Sequence, residues 1–134
     1  FIVPLCATIH LSGSMMKITL YALAVVFMGG LDISAGQILG FIFLLGIMMI
    51  AAPGVPGGAI MAAVGLLQAN LGFDESMVSL MIAAYIVVDS FGTAANVTGD
   101  GAIAMVINKF AQGKIKGQKL DDATQTPSPA TAAN

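Results

Sequence analysis

The sequence predicts an all-α integral membrane protein: a broken transmembrane helix, a re-entrant helical hairpin, a further transmembrane helix and a disordered C-terminal tail. Of its 134 residues, 57% are hydrophobic and 9% are charged, and the mean hydropathy is +0.93. A soluble domain carries about 25% charged residues, so this composition indicates a chain surrounded by lipid. The sequence contains no arginine. It therefore offers no guanidinium clamp for phosphate, and we expect no nucleic-acid partner.

The first element covers residues 1–30, an apolar stretch long enough to cross about 30 Å of hydrocarbon. A short polar island interrupts it, formed by Thr8, His10, Ser12 and Ser14. One interpretation is a helix broken at membrane depth, where a cavity satisfies the freed backbone groups. The other is a continuous helix whose hydroxyls bond back to their own carbonyls. The residues alone leave both interpretations open.

The second element covers residues 34–71 and is divided by Pro53-Gly-Val-Pro-Gly-Gly58. A single helix over residues 38–70 would be about 50 Å long, too long for one span, whereas each arm alone is only about 20 Å long. Two prolines and three glycines break a helix strongly. We therefore expect a re-entrant hairpin whose tip lies inside the membrane.

The third element covers residues 75–112 and is predicted as one helix beginning after the polar turn at Asp74 and Glu75. Asp89, Thr93, Asn96 and Asp100 follow helical spacing, so they share one narrow face. Carboxylates inside a membrane helix are costly and by default line a cavity or an ion path.

The chain ends contribute two further expectations. Lysines at 109, 114, 116 and 119 flank the last helix and predict a cytoplasmic C-terminus, and residues 120–134 are expected to be a disordered cytoplasmic tail. The sequence begins without a methionine or a leader, which suggests an internal or C-terminal piece of a longer protein.

Three motifs occur in an order that resembles one family. They are Pro4-Leu-Cys-Ala-Thr-Ile-His-Leu-Ser-Gly-Ser14, Gly54-Val-Pro-Gly57, and Asp89 with Thr93 and Asn96-Val-Thr-Gly-Asp100. This arrangement is similar to the C-terminal half of the dicarboxylate/amino acid:cation symporters, the glutamate-transporter homologues, over about residues 1–116. Any one motif alone would be weak, but all three in order are specific.

The resemblance implies that residues 1–119 are the C-terminal part of an elevator-type transport domain in the plasma (inner) membrane. The remainder of the carrier chain, with its first hairpin and scaffold helices, would be a partner. The full-length carrier would be a homotrimer in contact with lipid, and it would be a transporter rather than an enzyme.

The resemblance also implies a substrate site. Asp89 would accept the substrate α-ammonium, and the Asn96 amide would hold the substrate carboxylate. The alternative for Asp89 is a structural ion pair with Lys17. The implied substrate-binding residues are Ser14, Val55, Gly57, Asp89, Gly92, Thr93 and Asn96.

Two sodium sites are implied in the same way. The Asp100 carboxylate would complete one site together with the backbone carbonyls of Cys6, His10 and Asn96. A weaker second site would use backbone carbonyls at Thr8, Met49, Ile50 and Ala52.

Departures from the family pattern refine these expectations. Gly92 stands where the family has an arginine that grips an acidic side chain, so we expect a neutral amino acid as substrate. Ser12 replaces an aspartate that ligates a third sodium, and His10 and Lys17 add positive charge nearby. Sodium is the expected coupling cation, and a proton carried through His10 is the alternative, because imidazole titrates near physiological pH.

The predicted function is cation-coupled symport of a small amino acid or a dicarboxylate. The alternative is a truncated or non-transporting membrane fragment with no activity of its own. Neither prediction requires a bound cofactor other than the transported cation.

Overall fold

The computed structural model describes residues 2–111, and every regular element in that range is an α-helix. This confirms the predicted all-α class. The helices are α1 (Ile2–Ile9), α2 (Ser12–Gly29), α3 (Ala35–Ala51), α4 (Gly58–Leu71), α5 (Glu75–Val87) and α6 (Asp89–Ala111). Phe1, the predicted tail at 120–134 and the lysines at 114, 116 and 119 lie outside the described residues.

The first predicted element is a helix interrupted at its polar island. α1 ends at Ile9, α2 begins at Ser12, and His10 and Leu11 form the junction. The structure therefore agrees with the broken helix rather than the continuous one. Together α1 and α2 form a 28-residue stretch, Ile2–Gly29, that is long and apolar enough to cross a membrane.

Helices α3 and α4 pack against each other across the Pro/Gly-rich connection at residues 52–57. Ser34 begins α3 with a reciprocal cap, in which its hydroxyl accepts the Gln37 N–H while the Gln37 side chain accepts the Ser34 N–H. Gly57 precedes α4 with φ +73°, a left-handed conformation that glycine adopts without steric cost. Both helices are apolar, and each is shorter than a membrane span.

The third predicted element differs from expectation. Instead of one helix over 75–112, the chain forms α5 and α6, which are bent by 63° at a break next to Val88. The physical reason is a donor from another helix: Lys17 Nζ lies 3.4 Å from the Tyr85 carbonyl oxygen and 3.3 Å from that of Val88. The Val88 carbonyl also accepts the Phe91 N–H over 3.2 Å, so the ammonium adds a donor where the regular helical hydrogen bonding is interrupted.

Asp74 begins α5 as its N-cap. The Ser76 hydroxyl donates to Asp74 Oδ1 over 2.7 Å, and the Met77 N–H donates to the same atom over 2.8 Å. Both bonds favour the charged carboxylate and lower the pKa of Asp74, with the Ser76 hydroxyl as the larger cause. The ionised cap fixes the start of the helix whose far end forms the bend.

Helix α2 is central, because it contacts α3, α4, α5 and α6. Large side chains from four of these helices, α2, α3, α4 and α5, are fully buried in the core. They are Ile18, Phe41, Leu45, Ile60, Leu67, Met81 and Tyr85. Other large apolar side chains point outward, including Phe27, Phe43, Val87, Phe91 and Phe110. An apolar exterior around an apolar core is the pattern of a chain that lies in lipid or against other apolar helices.

Close contact between α2 and α6 depends on Gly13. A Cβ atom at this position would lie 2.6 Å from the Ala95 Cβ and 2.6 Å from the Gly92 carbonyl oxygen. Neither atom is the end of a flexible side chain, so a larger residue would force the helices apart.

We therefore predict that Gly13→Ala lowers the free energy of unfolding by about 1–3 kcal/mol through overpacking. Thermal unfolding of the purified full-length protein measures the change. Gly65→Ala in α4 is the matched control, because a Cβ there meets nothing within 4 Å. The control should be as stable as the parent or more stable, and equal stability of the two variants would contradict the close approach at Gly13.

Candidate functional site

A cavity of about 280 Å³ lies where the two helix breaks meet the connection between α3 and α4. Its size suits a small organic molecule, since drug-sized ligands occupy about 300–1,000 Å³. The lining residues are Ala7, His10, Leu11, Ser14, Pro53, Gly54, Val55, Pro56, Ala59, Tyr85, Asp89, Thr93, Asn96, Val97 and Asp100.

The polar face predicted on α6 lies along this cavity. Asp89, Thr93, Asn96 and Asp100 all line it, as their helical spacing requires. The bend between α5 and α6 preserves the alignment, because all four residues lie on the α6 side of the break. The three motifs that are distant in sequence thus meet at one place.

Two helices begin at the cavity without a side-chain cap from the residue that precedes them. Leu11 precedes α2 and Gly57 precedes α4, and neither provides a side-chain oxygen. The first N–H groups of a helix have no partner within it, and the helix dipole places partial positive charge there. The arrangement therefore favours a carboxylate in the cavity.

Asn96 supplies the missing cap of α2 from across the helix interface. Its Oδ1 accepts the Gly13 N–H over 2.8 Å, and its Nδ2 donates to the Ser14 Oγ over 3.1 Å. Asn96 and Ser14 are both buried. These contacts hold the broken first helix in register with α6, so both predicted substrate residues have a positioning role in the structure.

Asp89 is engaged by two groups. Lys17 Nζ lies 3.0 Å from its Oδ1, and the Gly57 N–H donates to its Oδ2 over 3.4 Å. The structure thus contains the Lys17 ion pair that the sequence offered as the alternative for this residue. The second contact connects the same carboxylate to the start of α4.

Lys17 uses all of its hydrogen-bond donors at the junction between α5 and α6. Its ammonium donates to Asp89 and to the Tyr85 and Val88 carbonyls, and it lies 3.5 Å from the centre of the Tyr85 ring. A lysine ammonium has three donors, so none remains. Only 10% of the Lys17 side chain is exposed, and the residue is not part of the cavity lining.

Gly92 provides the space for Lys17. A Cβ at Gly92 would lie 3.1 Å from Lys17 Nζ and 3.3 Å from its Cε. Gly92 itself faces a second depression, which Lys17 also lines, rather than the cavity. The absence of a side chain at position 92 therefore leaves the space that Lys17 occupies.

Asp100 is paired with His10 at another point of the cavity wall. His10 Nδ1 lies 2.7 Å from Asp100 Oδ1, and 12% of the Asp100 side chain is exposed. Gly99 makes room for the ring, because a Cβ there would lie 2.5 Å from His10 Cε1. The carboxylate oxygen that the resemblance assigns to a sodium ion contacts an imidazole in this conformation.

The remaining predicted site residues fall into three groups. Val55 lines the cavity, and the Thr93 hydroxyl, although at the cavity wall, is 3.2 Å from the Asp89 carbonyl of its own helix. The Cys6 carbonyl accepts the His10 N–H over 2.8 Å, and the Thr8 hydroxyl donates to the Leu5 carbonyl over 2.8 Å. The residues of the weaker sodium site at the end of α3 do not line the cavity. They are Met49, Ile50 and Ala52.

Within residues 2–111 no group of three or more His, Cys, Asp or Glu side chains is close enough together to hold a metal ion. The pair formed by Asp100 and His10 has no third such side chain close to it in this range.

Sequence reasoning missed Tyr85, Gly13 and Gly99. Tyr85 lies four residues before Asp89, so helical spacing could have placed it beside that carboxylate. The two glycines gave no signal, because their role depends on which residues from another helix approach them.

The sodium:dicarboxylate symporter family matches residues 1–110 of the chain. Among curated proteins, mouse excitatory amino acid transporter 3 is 28% identical over 96% of the chain and 24% of its own length. Bovine neutral amino acid transporter A is 28% identical over 87% of the chain and 22% of its own length. Rat excitatory amino acid transporter 1 is 25% identical over 90% of the chain and 22% of its own length.

The chain thus spans about a quarter of the length of the curated relatives it matches. No solved structure is significantly similar to it. The family match covers the two broken helices, the Pro/Gly-rich connection between them and the cavity that they enclose. The chain belongs to the sodium:dicarboxylate symporter family.

Proposed function

We propose that this chain is the C-terminal part of the transport domain of a carrier that moves a small neutral amino acid together with a cation. The observation that carries the proposal is the cavity between the two broken helices. It combines the Asp89 carboxylate with the beginnings of α2 and α4, neither of which is capped by the residue that precedes it. An α-amino acid presents an ammonium and a carboxylate, which complement these two features.

A neutral side chain is favoured because the cavity offers no free cation for a second carboxylate. Among the described residues that line it, none is lysine, and the His10 ring contacts Asp100. The space beside Gly92 is filled by Lys17, which is directed toward Asp89. An acidic side chain would be buried without a partner, which is costly.

The proposed cation site has Asp100 as its charged ligand, with the backbone carbonyls of Cys6, His10 and Asn96 completing the shell. Asp100 is a carboxylate with little exposure in a chain that spans a membrane, and such a group requires a positive partner. Sodium is the proposed cargo, with the end of α3 as a weaker second site. Proton coupling is the other outcome of the test below.

The proposal also includes an architecture. Helices α3 and α4 form a re-entrant hairpin whose tip, residues 52–57, covers the cavity and acts as its gate. Their packing and their lengths of 17 and 14 residues support this, because about 20 residues are needed to cross. The C-terminus lies in the cytoplasm, and the full-length carrier forms an elevator-type homotrimer in the plasma membrane.

The first prediction of the proposed function concerns the substrate. In proteoliposomes, the full-length carrier should exchange labelled serine, threonine or alanine at least about tenfold better than glutamate or succinate. Tenfold corresponds to about 1.4 kcal/mol, at the low end of what an unpaired buried carboxylate costs. Counterflow at equal substrate concentrations measures this ratio, and preferred uptake of glutamate would contradict the neutral-substrate proposal.

A paired substitution sharpens this test. Gly92→Arg together with Lys17→Met places a guanidinium beside the cavity and removes the lysine that would obstruct it. Glutamate uptake relative to alanine should rise about tenfold or more, since a charge-assisted hydrogen bond contributes about 1.5–3 kcal/mol. Lys17→Met alone is the matched control, and it should not produce that rise.

The second prediction concerns the cation. Replacing sodium by choline should abolish alanine uptake at two different pH values, whereas proton coupling would leave uptake at the lower pH. Asp100→Asn should raise the half-saturating sodium concentration about tenfold or more, because it removes the charged ligand. Asp32→Asn on the exposed connector is the control and should resemble the parent. Unchanged sodium dependence in Asp100→Asn would remove Asp100 from the site.

A further inference from the structure

The Asp89 carboxylate already has a cationic partner when no ligand is bound. Lys17 Nζ lies 3.0 Å from its Oδ1, and the two side chains are only 10% and 22% exposed. A largely buried carboxylate without a partner is strongly disfavoured, and a substrate ammonium would relieve that cost. Here Lys17 already offsets that cost before any ligand is bound. The ligand therefore does not need a positive charge in order to neutralise Asp89.

Lys17 is not placed to contact the ligand directly. It has the Tyr85 and Val88 carbonyls as further acceptors, the Tyr85 ring beside it, and no place in the cavity lining. Lys17 is thus a positioning residue. It holds one oxygen of Asp89 from the side away from the cavity and leaves Oδ2 with a single long bond of 3.4 Å from the Gly57 N–H.

What the cavity presents to a ligand is one carboxylate oxygen of a neutral ion pair. A hydroxyl can donate a hydrogen bond to that oxygen, as an ammonium can. The ammonium loses part of its usual advantage, because the charge that would attract it is already compensated by Lys17. The discrimination between an amino group and a hydroxyl on the ligand is correspondingly small.

From this geometry we infer that the carrier accepts small 2-hydroxy carboxylic acids as well as the corresponding amino acids, and that the Lys17–Asp89 pair sets this tolerance. The inference rests on the proposed function, because it concerns the substrate class of the same cavity. The 2-hydroxy acid would place its carboxylate near the beginnings of α2 and α4 and its hydroxyl at Asp89 Oδ2.

L-Alanine and L-lactate form a matched pair of probes, since they differ in the ammonium and hydroxyl groups alone. Equilibrium binding of each to the purified full-length carrier should give dissociation constants within about tenfold of each other, a difference of about 1.4 kcal/mol or less. In Lys17→Met, Asp89 lacks its positive partner. Of the two ligands, only alanine carries an ammonium that can replace the lysine. Lactate affinity should then fall about tenfold or more beyond any change in alanine affinity.

Two further variants keep the test decisive if Lys17→Met folds poorly. Lys17→Arg retains the positive charge and should retain lactate binding. The double variant Lys17→Met with Asp89→Asn removes both charges, so it should bind lactate at least as well as alanine. If Lys17 had only a structural role, its substitution would lower the affinities for both ligands in parallel. This inference instead predicts a change in the ratio of the two affinities.

The outcomes separate the two proposals. Binding of alanine with lactate excluded by more than about a hundredfold, or about 2.7 kcal/mol, would overturn this inference and leave the proposed function intact. An unchanged ratio of the two affinities in Lys17→Met would also overturn it. Failure to bind any amino acid, hydroxy acid or dicarboxylate would overturn both.

Discussion

The ion pair between Lys17 and Asp89 joins α2 to α6 at the point where α5 ends and α6 begins. The same ammonium satisfies the carbonyls of Tyr85 and Val88, so it stabilises the bend that directs α6 along the cavity. A Cβ at position 92 would lie 3.1 Å from this ammonium, so a side chain there would crowd it. One buried cation therefore connects the bend, the cavity wall and the space beside Gly92, and a change at any of the three affects the others.

The two broken helices depend on each other for their polar groups. The α5–α6 bend takes its donor from Lys17 on α2, and the first turn of α2 takes its acceptor from Asn96 on α6. Each break would leave backbone groups unsatisfied in lipid if its helix stood alone. Gly13 allows the close approach that both contacts require. The cavity is thus a consequence of two breaks that face each other, and its polar lining includes groups that stabilise the structure.

Sequence reasoning predicted the helical class, the interruption by Pro53-Gly-Val-Pro-Gly-Gly58 and the polar face of α6, because each follows from local spacing or composition, whereas the residues alone left the break at His10 open. It failed at Val88, where no proline or glycine marks the bend. The cause of that bend is a lysine about 70 positions away. It also named both Lys17 and Gly92 without predicting that one fills the space of the other. Contacts between helices distant in sequence, such as His10 with Asp100, are set by packing and leave no local pattern.

A double-mutant cycle on Lys17 and Asp89 tests the central interaction most directly. The measurement is the free energy of unfolding of the ligand-free full-length carrier, for Lys17→Met, Asp89→Asn and their combination. If the two groups neutralise each other, each single substitution is destabilising and the double variant recovers a coupling energy of about 1–3 kcal/mol. Additive losses, with no recovery in the double variant, would show that Asp89 does not depend on Lys17 and would contradict the account.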